Sequence, residues 1–546
     1  MAVARAAGRP ATAGPGRGRG WALLPAAVFL AAAAISGFTI LRGLDPFDEG
    51  LMLQAARRMA DGQLPYRDFL WSYGPGQPLL LGWSFEAFGT SLLGWRILRV
   101  ATDAAVAVLV FGLVRRRSRP AVAGVAALTA ACAMAQPTSA NPSALGLALA
   151  LASLWAATQP PEGRVGRLAR GRGPALLAGL LTALAAFWRL DFGLYAAAAV
   201  VAALAFADGD RRRALTTYVA AAGAVGLALY APFAVAAGVD ELVDSLVFRS
   251  LRDSDYWSLP LPLTYDGGFR LWPVGDLAAD AKDVLGFYLP LFALLGFGLS
   301  VALAGARWLG GRRPAPQLIG ALALGAGCCL YLASRIDEFH VTPLVVVLAV
   351  VIPGLLAETG SWQEGAAGPA MRAAGLASAA LLGLLLLHGA ANRLSALFDP
   401  PALEPVRVAP ADGVKAPPDE ARALPRVARA VQSRVPPGDP IYVTALRSDL
   451  VRINNPLVYV LTERDNATDA DFGLLTSESA QRETVDRLRK RRPGAVVRWT
   501  DPISVEREPN LRGRAAGSRL LDAYLAAEYR LLERAGDYEI LVPRRR

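Results

Sequence analysis

Eleven apolar runs, separated by charged or turn-rich connections, are the feature that most constrains how this sequence can fold. They lie at residues 21–41, 92–114, 120–135, 143–158, 174–188, 194–207, 214–237, 284–306, 317–333, 341–357 and 372–391. A stretch of about 20 apolar residues spans the hydrocarbon core of a bilayer as a helix. Hydrophobic residues make up 54% of the 546-residue chain and the mean hydropathy is +0.34, which is high for a soluble protein. We therefore predict an α-helical polytopic membrane protein with about 11 transmembrane helices.

The distribution of arginine predicts the orientation of the chain in the membrane. Arginine clusters lie in every second connection, at residues 115–119, 164–172, 211–213 and 307–313. The positive-inside rule places these loops and the N-terminus in the cytoplasm of a multi-pass cell-membrane protein. The first loop, residues 42–91, then faces outward. This spacing also accounts for the net charge of +11, so we expect membrane lipids and no nucleic acid as partners.

Four regions follow from these patterns. Residues 1–20 are predicted to be a disordered basic cytoplasmic tail, residues 21–391 the transmembrane domain, and residues 392–418 a Pro-rich linker. Residues 419–546 are predicted to form a small extracytoplasmic α/β domain, because helical and short apolar strand patterns alternate there. Its helices are predicted at 419–435, 479–491 and 518–528, and its strands at 441–445, 495–499, 529–533 and 538–542.

Cysteine and histidine give no sign of a disulfide framework or a metal site. The three cysteines all lie in apolar runs, and the two histidines, His340 and His388, are far apart. Asp48 and Glu49 offer carboxylates to a divalent ion, but hard cations usually take more oxygen ligands than one pair provides. We therefore expect no cofactor, and the sequence leaves metal dependence open.

The predicted outward loops collect a restricted set of polar residues from distant parts of the chain. These are Asp48, Glu49, Tyr66, Arg67, Asp68 and Tyr73 in the first loop, Arg189 and Asp191 between the fifth and sixth runs, and Arg335, Asp337 and His340 between the ninth and tenth. Together they suit a reaction in which arginine holds a phosphate leaving group and a carboxylate deprotonates a hydroxyl nucleophile. The alternative is that each loop is a solvated connection, since charged residues are least costly at helix ends.

Other charged residues have a structural interpretation. Arg57, Arg58 and Asp61 are predicted to form the water-facing side of an amphipathic interfacial helix. A second interfacial helix is predicted at residues 77–88. Arg99 and Asp103 are spaced i, i+4 within the second run, so they can neutralise each other.

The order of these features resembles the GT-C superfamily of membrane glycosyltransferases. The resemblance rests on one span, a long outer loop opening with the acidic pair Asp48-Glu49, the run ARRMADGQLPYRDFLWSYGPG, and later RLDFG and SRIDEFH loops. Within that superfamily it looks like the group of protein O-mannosyltransferases and lipid A aminoarabinose transferase, glycosyltransferase family 39-like. The resemblance implies transfer of a sugar from a polyprenyl-phosphate donor to an acceptor hydroxyl on the outer face, with inversion. The acceptor would be a glycan, a lipid or a protein.

The resemblance also assigns roles. Asp48 matches the first acidic residue of the family's pair and is implied to be the base, with Glu49 supporting it or orienting the acceptor. We infer that Arg189 and Arg335 contact the donor phosphate. Asp191, Asp337 and His340 would orient these arginines or contact sugar hydroxyls.

Some relatives carry a second carboxylate in the connection at residues 136–142, but this sequence does not. A two-acid mechanism would therefore need Asp191 or Asp337. Two other functions stay open at this point: a transporter or flippase of a lipid or small solute, and a non-catalytic envelope assembly factor. The C-terminal domain is hypothesised to bind the acceptor or to shield the cavity.

Overall fold

The computed structural model of the protein describes residues 20–159, 172–252, 258–358, 368–449, 454–471, 475, 477–500 and 517–544. Nearly all of the predicted N-terminal tail and most of the arginine cluster at residues 164–172 lie outside these ranges.

Each of the eleven predicted spans forms an α-helix. They are α1 (Gly20–Gly37), α4 (Leu92–Arg115), α5 (Pro120–Met134), α6 (Ser143–Ala157), α7 (Gly173–Trp188), α8 (Leu190–Phe206), α9 (Arg211–Ala237), α12 (Val274–Leu309), α13 (Pro316–Ser334), α14 (Thr342–Glu358) and α15 (Gly368–Phe398). Five of them, α4, α9, α12, α13 and α15, are long and apolar enough to cross a membrane by length and composition, and the other six are shorter. The prediction of an α-helical polytopic membrane protein is confirmed.

Shorter helices lie in the connections. The first loop forms α2 (Asp48–Ala60) and α3 (Gly76–Phe88). The second of these matches the predicted interfacial helix, and its large apolar side chains Trp83 and Phe88 are exposed. After α9 the chain forms α10 (Val239–Val243), a single π turn (Asp244–Phe248) and α11 (Arg249–Arg252).

Glycines let the apolar helices approach closely in the part of the bundle that carries two of the loops predicted to face outward. A Cβ built on Gly193 of α8 would lie 2.4 Å from the Cα of Ala186 in α7. One on Gly320 of α13 would lie 2.8 Å from the carbonyl oxygen of Ala199 in α8. Small residues at such positions are typical of membrane helix packing, because they allow backbones to touch. The helices α7, α8 and α13 are therefore held in fixed relative positions.

The C-terminal region is a small α/β structure, as predicted. Its helices are α16 (Pro418–Gln432), α17 (Leu457–Thr462), α18 (Glu478–Arg491) and α19 (Leu520–Glu528), and its main strands are β3 (Ile441–Ala445), β4 (Ala495–Trp499), β5 (Tyr529–Ala535) and β6 (Tyr538–Pro543). These strands form a four-stranded sheet in the order β3-β4-β6-β5, with β3 and β4 parallel and the other pairs antiparallel.

The segment predicted as a linker has structure of its own. Helix α15 continues to Phe398, and a two-stranded pair follows, formed by β1 (Glu404–Pro405) and β2 (Lys415–Ala416). Lys415 also pairs with the first loop, because its carbonyl accepts from Gly43 N at 2.8 Å and its N–H donates to Leu41 O at 2.8 Å. These bonds join the end of the first span to the start of the C-terminal domain.

The substitution Gly193→Ala tests this helix packing. The new methyl group would meet the backbone of α7, so the helices must separate, and overpacking of this kind costs about 1–3 kcal/mol. We expect a lower thermal midpoint of unfolding in detergent. The matched control is Gly223→Ala in α9, where a Cβ would meet no atom of the described residues within 4 Å and alanine favours the helix. Equal midpoints for the two variants would contradict the proposed packing role.

Candidate active site

Helix α2 begins with the acidic pair, and the two carboxylates have different surroundings. Glu49 is fully buried and forms a two-point ion pair with Arg96 of α4, at 2.7 Å from Nε to Oε1 and 2.8 Å from Nη2 to Oε2. Arg96 also donates to the carbonyls of Ile40 and Gly43 at 2.9 and 2.8 Å. Glu49 therefore fixes the start of α2 against α4, and Asp48 is the carboxylate of the pair that faces the other loops.

Asp48 lies where four separate connections meet. Its side chain hydrogen-bonds to Asn141, and the cationic side chains of Arg189 and Arg335 are close enough to act on its charge, as is the imidazole of His340. Burial raises the pKa of the Asp48 carboxyl, and these four neighbours oppose the rise without cancelling it. A buried carboxylate with a raised pKa is a stronger base than an exposed one.

Asn141 connects Asp48 to the nearest arginine. Its Oδ1 accepts from Arg189 Nη1 at 2.6 Å and from Ser143 N at 3.1 Å. Because the oxygen end of the amide is occupied by two donors, the NH₂ end is the one that faces Asp48. Sequence reasoning missed this residue because it looked for a carboxylate at residues 136–142. The available signal was Asn before Pro at a helix start, where an Asn side chain commonly bonds the backbone two residues on.

Arg189 and Arg335 occupy two turns of the same geometry. Each follows the last residue of a membrane helix and is extended, with φ −155° and ψ 115° for Arg189, and φ −158° and ψ 111° for Arg335. In each turn the arginine Nε donates to the aspartate two residues later, at 2.9 Å to Asp191 and 2.8 Å to Asp337. We call these the two Arg-x-Asp turns, and each orients an arginine by its own carboxylate.

Aromatic rings surround the first of these arginines. The guanidinium carbon of Arg189 lies 5.1 Å from the ring centroid of Tyr73, 5.7 Å from that of Phe192 and 4.8 Å from that of Tyr331. A cation held over several ring faces is stabilised by their quadrupoles and keeps one orientation. Tyr73 therefore brings the far end of the first loop to the cluster of polar side chains formed by Asp48, Asn141, Arg189, Arg335 and His340. Tyr331 lies in an apolar helix, and sequence reasoning missed it.

The second turn includes the histidine. Asp337 Oδ1 accepts from both the backbone N–H and the ring Nδ1 of His340, each at 2.7 Å. The His340 ring packs on Tyr331 with centroids 4.9 Å apart. Tyr331 therefore contacts both Arg189 and His340, and it joins the two Arg-x-Asp turns.

The remaining predicted residues of the first loop have local roles. Tyr66 is buried with φ +70°, and its hydroxyl donates to the carbonyl of Tyr73 at 2.5 Å. Arg67 and Asp68 pair with each other at 2.7 Å, and Asp68 also accepts from Leu64 N. Tyr66 thus supports Tyr73, whereas the bonds that Arg67 and Asp68 make in the described structure stay within the turn.

The water-facing role predicted for Arg57 and Arg58 is wrong. Arg58 is only 4% exposed, and its Nε lies 2.7 Å from Asp471 Oδ2. Arg57 donates to Tyr459 O at 2.8 Å. The physical reason is that the C-terminal domain covers this face of α2; Asp61, at the end of the helix, remains exposed.

The other predicted pair forms as expected. Arg99 Nε donates to Asp103 Oδ1 at 2.7 Å inside the bundle. Ser36 of α1 donates to the second oxygen of Asp103 at 2.7 Å, and Arg99 also donates to Met134 O at the end of α5. This pair joins three helices and is structural.

An apolar cavity of about 540 Å³ lies beside the cluster, between α2, α3, α7 and α9. Its lining includes Trp83, Phe187, Trp188, Pro232 and Phe233. Trp188 directly precedes Arg189, and its indole N–H donates to Gln77 at 3.0 Å. The cavity is apolar and large enough to take part of an apolar chain.

Among the described residues, no group of three or more His, Cys, Asp or Glu side chains is arranged to hold a metal ion. The groups that gather at Asp48 are instead two arginines, a histidine and an amide. This donor set is suited to binding an anion.

The arrangement of helices and loops defines a multi-pass membrane protein with the GT-C fold, as the sequence resemblance predicted. ArnT from Cupriavidus metallidurans in the apo state is similar over 96% of this chain and 97% of its own, with 16% identity and a TM-score of 0.50. The same protein bound to undecaprenyl phosphate gives 15% identity and a TM-score of 0.50, with 96% and 98% covered. No family model and no curated protein sequence matches this chain.

An archaeal member of the same fold is also similar. The oligosaccharyltransferase AglB from Archaeoglobus fulgidus, in complex with an inhibitory peptide and a dolichol phosphate, has 13% identity and a TM-score of 0.54. The match covers 96% of this chain and 74% of that one. At these identities the likeness establishes the fold.

The two carboxylates should respond oppositely to neutralisation. Because the folded-state pKa of Asp48 is raised, its ionised form costs stability above that pKa, and Asp48→Asn should leave the thermal midpoint at neutral pH unchanged or higher. Glu49→Gln leaves the charge of Arg96 buried without its counter-ion, which costs about 3–5 kcal/mol. Thermal unfolding of both variants in detergent measures this, and equal losses would mean that both carboxylates are structural.

Proposed function

We propose that the protein is an integral membrane glycosyltransferase that moves a sugar from a polyprenyl-phosphate donor to an acceptor hydroxyl on the outer face, with inversion and with Asp48 as the base. The observation that carries the proposal is the meeting of Asp48 with Asn141 and the two Arg-x-Asp turns. The solved structures of two proteins with the same fold hold undecaprenyl phosphate and dolichol phosphate, which supports a lipid phosphate as the donor class.

The contacts of Arg189 support a role for it in binding the donor phosphate. Its Nε is used by Asp191 and its Nη1 by Asn141, while its planar faces meet aromatic rings. Nη2 is then the nitrogen that offers its N–H groups to a phosphate oxygen. Arg335 is oriented by Asp337 in the same way, so both guanidinium groups would bind the same phosphate. Arginine suits this role better than lysine, because its planar guanidinium can donate two parallel hydrogen bonds to phosphate oxygens.

The apolar cavity is the proposed site of the lipid chain. It is lined by apolar side chains and begins at Trp188, next to the arginine that would hold the phosphate. An isoprenoid chain is more stable in an apolar environment than in water. A preformed apolar cavity therefore binds the chain without exposing it to water when the donor moves from the bilayer to the protein. The donor would therefore bind with its phosphate at Arg189 and its chain between α3, α7 and α9.

The reaction then needs one base. The ionised Asp48 carboxylate takes the proton of the acceptor hydroxyl while the hydroxyl oxygen attacks C1 of the sugar. The C1–O bond to the phosphate breaks on the opposite face, and the electron pair leaves with the phosphate, where the arginines stabilise the added charge. The anomeric centre is inverted, and the proton remains on Asp48 until it passes to water.

Asn141 and Glu49 position the base in this scheme. Asn141 donates to the Asp48 carboxylate and shares Arg189, so it sets the distance between base and phosphate. Glu49, paired with Arg96, holds the first turn of α2 in place. The acceptor would be a glycan, a lipid or a protein.

The substitution Asp48→Asn tests the base assignment. General-base catalysis contributes typically about 10²–10⁴-fold, so we expect a loss of that size in turnover with the protein still folded. The assay incubates the purified protein with a panel of polyprenyl-phosphate sugars and follows donor and free lipid phosphate by mass spectrometry. Asp240→Asn, at an exposed position in the short helix α10, is the matched control. Normal transfer by the Asp48→Asn protein would refute the assignment.

The substitution Arg189→Met tests the phosphate contact. Hydrogen bonds to charged groups are worth about 1.5–3 kcal/mol, which corresponds to weaker binding of undecaprenyl phosphate by about 10- to 100-fold. The dissociation constant is measured on the purified protein in detergent. Arg213→Met, at the exposed start of α9, should bind as the wild type does. Unchanged affinity in Arg189→Met would place the phosphate elsewhere.

A further inference from the structure

A buried ion pair joins helix α2 to the C-terminal domain. Arg58 is 4% exposed and Asp471 is 2% exposed. Arg58 Nη2 donates to Asp471 Oδ1 at 2.9 Å and to Thr468 O at 2.7 Å, and Nε lies 2.7 Å from Asp471 Oδ2. Asn466 donates to the same carboxylate at 3.0 Å. A buried carboxylate that accepts hydrogen bonds from both Arg58 and Asn466 holds α2 against the C-terminal domain in a defined geometry.

The same helix meets the domain without any intervening side chain. Gly50 lies two residues after Asp48, and a Cβ built there would be 2.4 Å from Leu457 N and 2.9 Å from its Cα. Leu457 is the first residue of α17. The backbone of α2 therefore touches the backbone of α17 next to the proposed base.

Further contacts hold the two ends of the first loop. Before α2, the Phe47 and Trp499 rings are in contact, with centroids 5.8 Å apart. After α2, Leu70 N donates to Asp469 O at 2.9 Å. Lys415 pairs with the backbone on both sides of Arg42. The C-terminal region thus contacts the loop before, along and after the helix that carries Asp48.

Helix α2 needs such support. It has 13 residues, and isolated helices shorter than about 12–15 residues are marginal in water. The membrane bundle holds its first turn through Glu49 and Arg96. Its last turn is held by the C-terminal domain, through Arg57 and Arg58. Two fixed ends set both the tilt and the rotation of the helix, and hence the place of Asp48.

We infer that the C-terminal domain is part of the active site in a structural sense: its docking through Arg58, Asp471 and Gly50 holds α2 so that Asp48 meets Asn141. Arg58 and Gly50 are positioning residues. The inference rests on the proposed function and extends it, because it makes transfer depend on a domain whose own residues need not touch the substrate.

Two substitutions in the full chain test the inference. Arg58→Met removes the buried pair, and Gly50→Ala forces α2 and α17 apart. A misplacement of about 1 Å can cost about 100-fold in rate, so we expect kcat to fall by about 10- to 100-fold while undecaprenyl phosphate binds within about threefold of wild type. Amide hydrogen exchange of residues 43–60 should become faster.

The matched controls make the same two residue changes at positions away from the contact between α2 and the C-terminal domain. Arg426→Met removes an exposed pair with Glu533 within the C-terminal domain. Gly94→Ala adds a methyl group to α4 at a point where the described part of the chain has no neighbouring atom within 4 Å. Both should retain the kcat and the exchange rates of the wild type.

The pH profile separates positioning from simple loss of folded protein. Burial is the main cause of the raised pKa of Asp48, and His340, Asn141, Arg189 and Arg335 oppose it, so moving Asp48 relative to these groups changes that pKa. The acid limb of the rate profile should then shift along the pH axis in Arg58→Met and Gly50→Ala. Loss of folded enzyme would scale the profile down without shifting it, and that result would overturn the positioning role.

A double variant gives a second check. Asp471→Leu leaves Arg58 buried and unpaired, whereas Arg58→Met with Asp471→Leu removes both charges and permits apolar packing. We expect the double variant to exceed Asp471→Leu in kcat and to show slower exchange in residues 43–60. A double variant no better than Asp471→Leu would contradict docking through this pair.

Failure of the proposed function can be told apart from failure of this inference. If the wild-type protein consumes no donor, the proposed function fails, and hydrogen exchange alone decides the docking. Faster exchange of residues 43–60 in Arg58→Met but not in Arg426→Met would support the docking. Unchanged exchange, or unchanged kcat in an active enzyme, would overturn it.

Discussion

The ion pair between Glu49 and Arg96 is the interaction on which the cluster depends. Both side chains are fully buried, and the guanidinium also satisfies two backbone carbonyls of the preceding segment. A buried charge is stable only when it is paired and hydrogen-bonded, so the pair anchors the first turn of α2 to α4. Successive residues of a helix are about 100° apart around its axis. Fixing Glu49 against α4 therefore turns Asp48 toward the other loops.

The two Arg-x-Asp turns likewise pair a partly buried arginine with a carboxylate, here at the ends of membrane helices. Each arginine is paired with a carboxylate two residues away, so each turn carries little net charge into a half-buried site. The turns belong to the helix pairs α7–α8 and α13–α14. Because Gly320 brings α13 onto the backbone of α8, helix packing sets the separation of the two arginines. Tyr331, which contacts both Arg189 and His340, maintains this separation.

The sequence was informative where a residue's role is decided locally. Apolar length predicted where each of the eleven apolar helices lies, and alternating patterns predicted β3 and β4 with their observed ends. The arginines and carboxylates of the site were visible as charges next to apolar runs. Asn141 and Tyr331 were not, because a neutral residue beside or within an apolar run carries no signal of what it contacts. Arg58 was misinterpreted, since the residue that buries it lies 413 positions further along the chain.

The carboxylates of the Arg-x-Asp turns also bear on product release in the proposed reaction. A lipid phosphodiester carries one negative charge, and the phosphomonoester left after transfer carries up to two, so two unopposed arginines would bind the product more tightly than the donor. Binding that is stronger after the reaction than before it slows turnover. Asp191 and Asp337 keep one N–H of each guanidinium engaged throughout and lower the net positive charge that the phosphate meets. In the proposed reaction the turns would thus orient the arginines for the transition state and limit how strongly the same arginines hold the lipid phosphate that must leave.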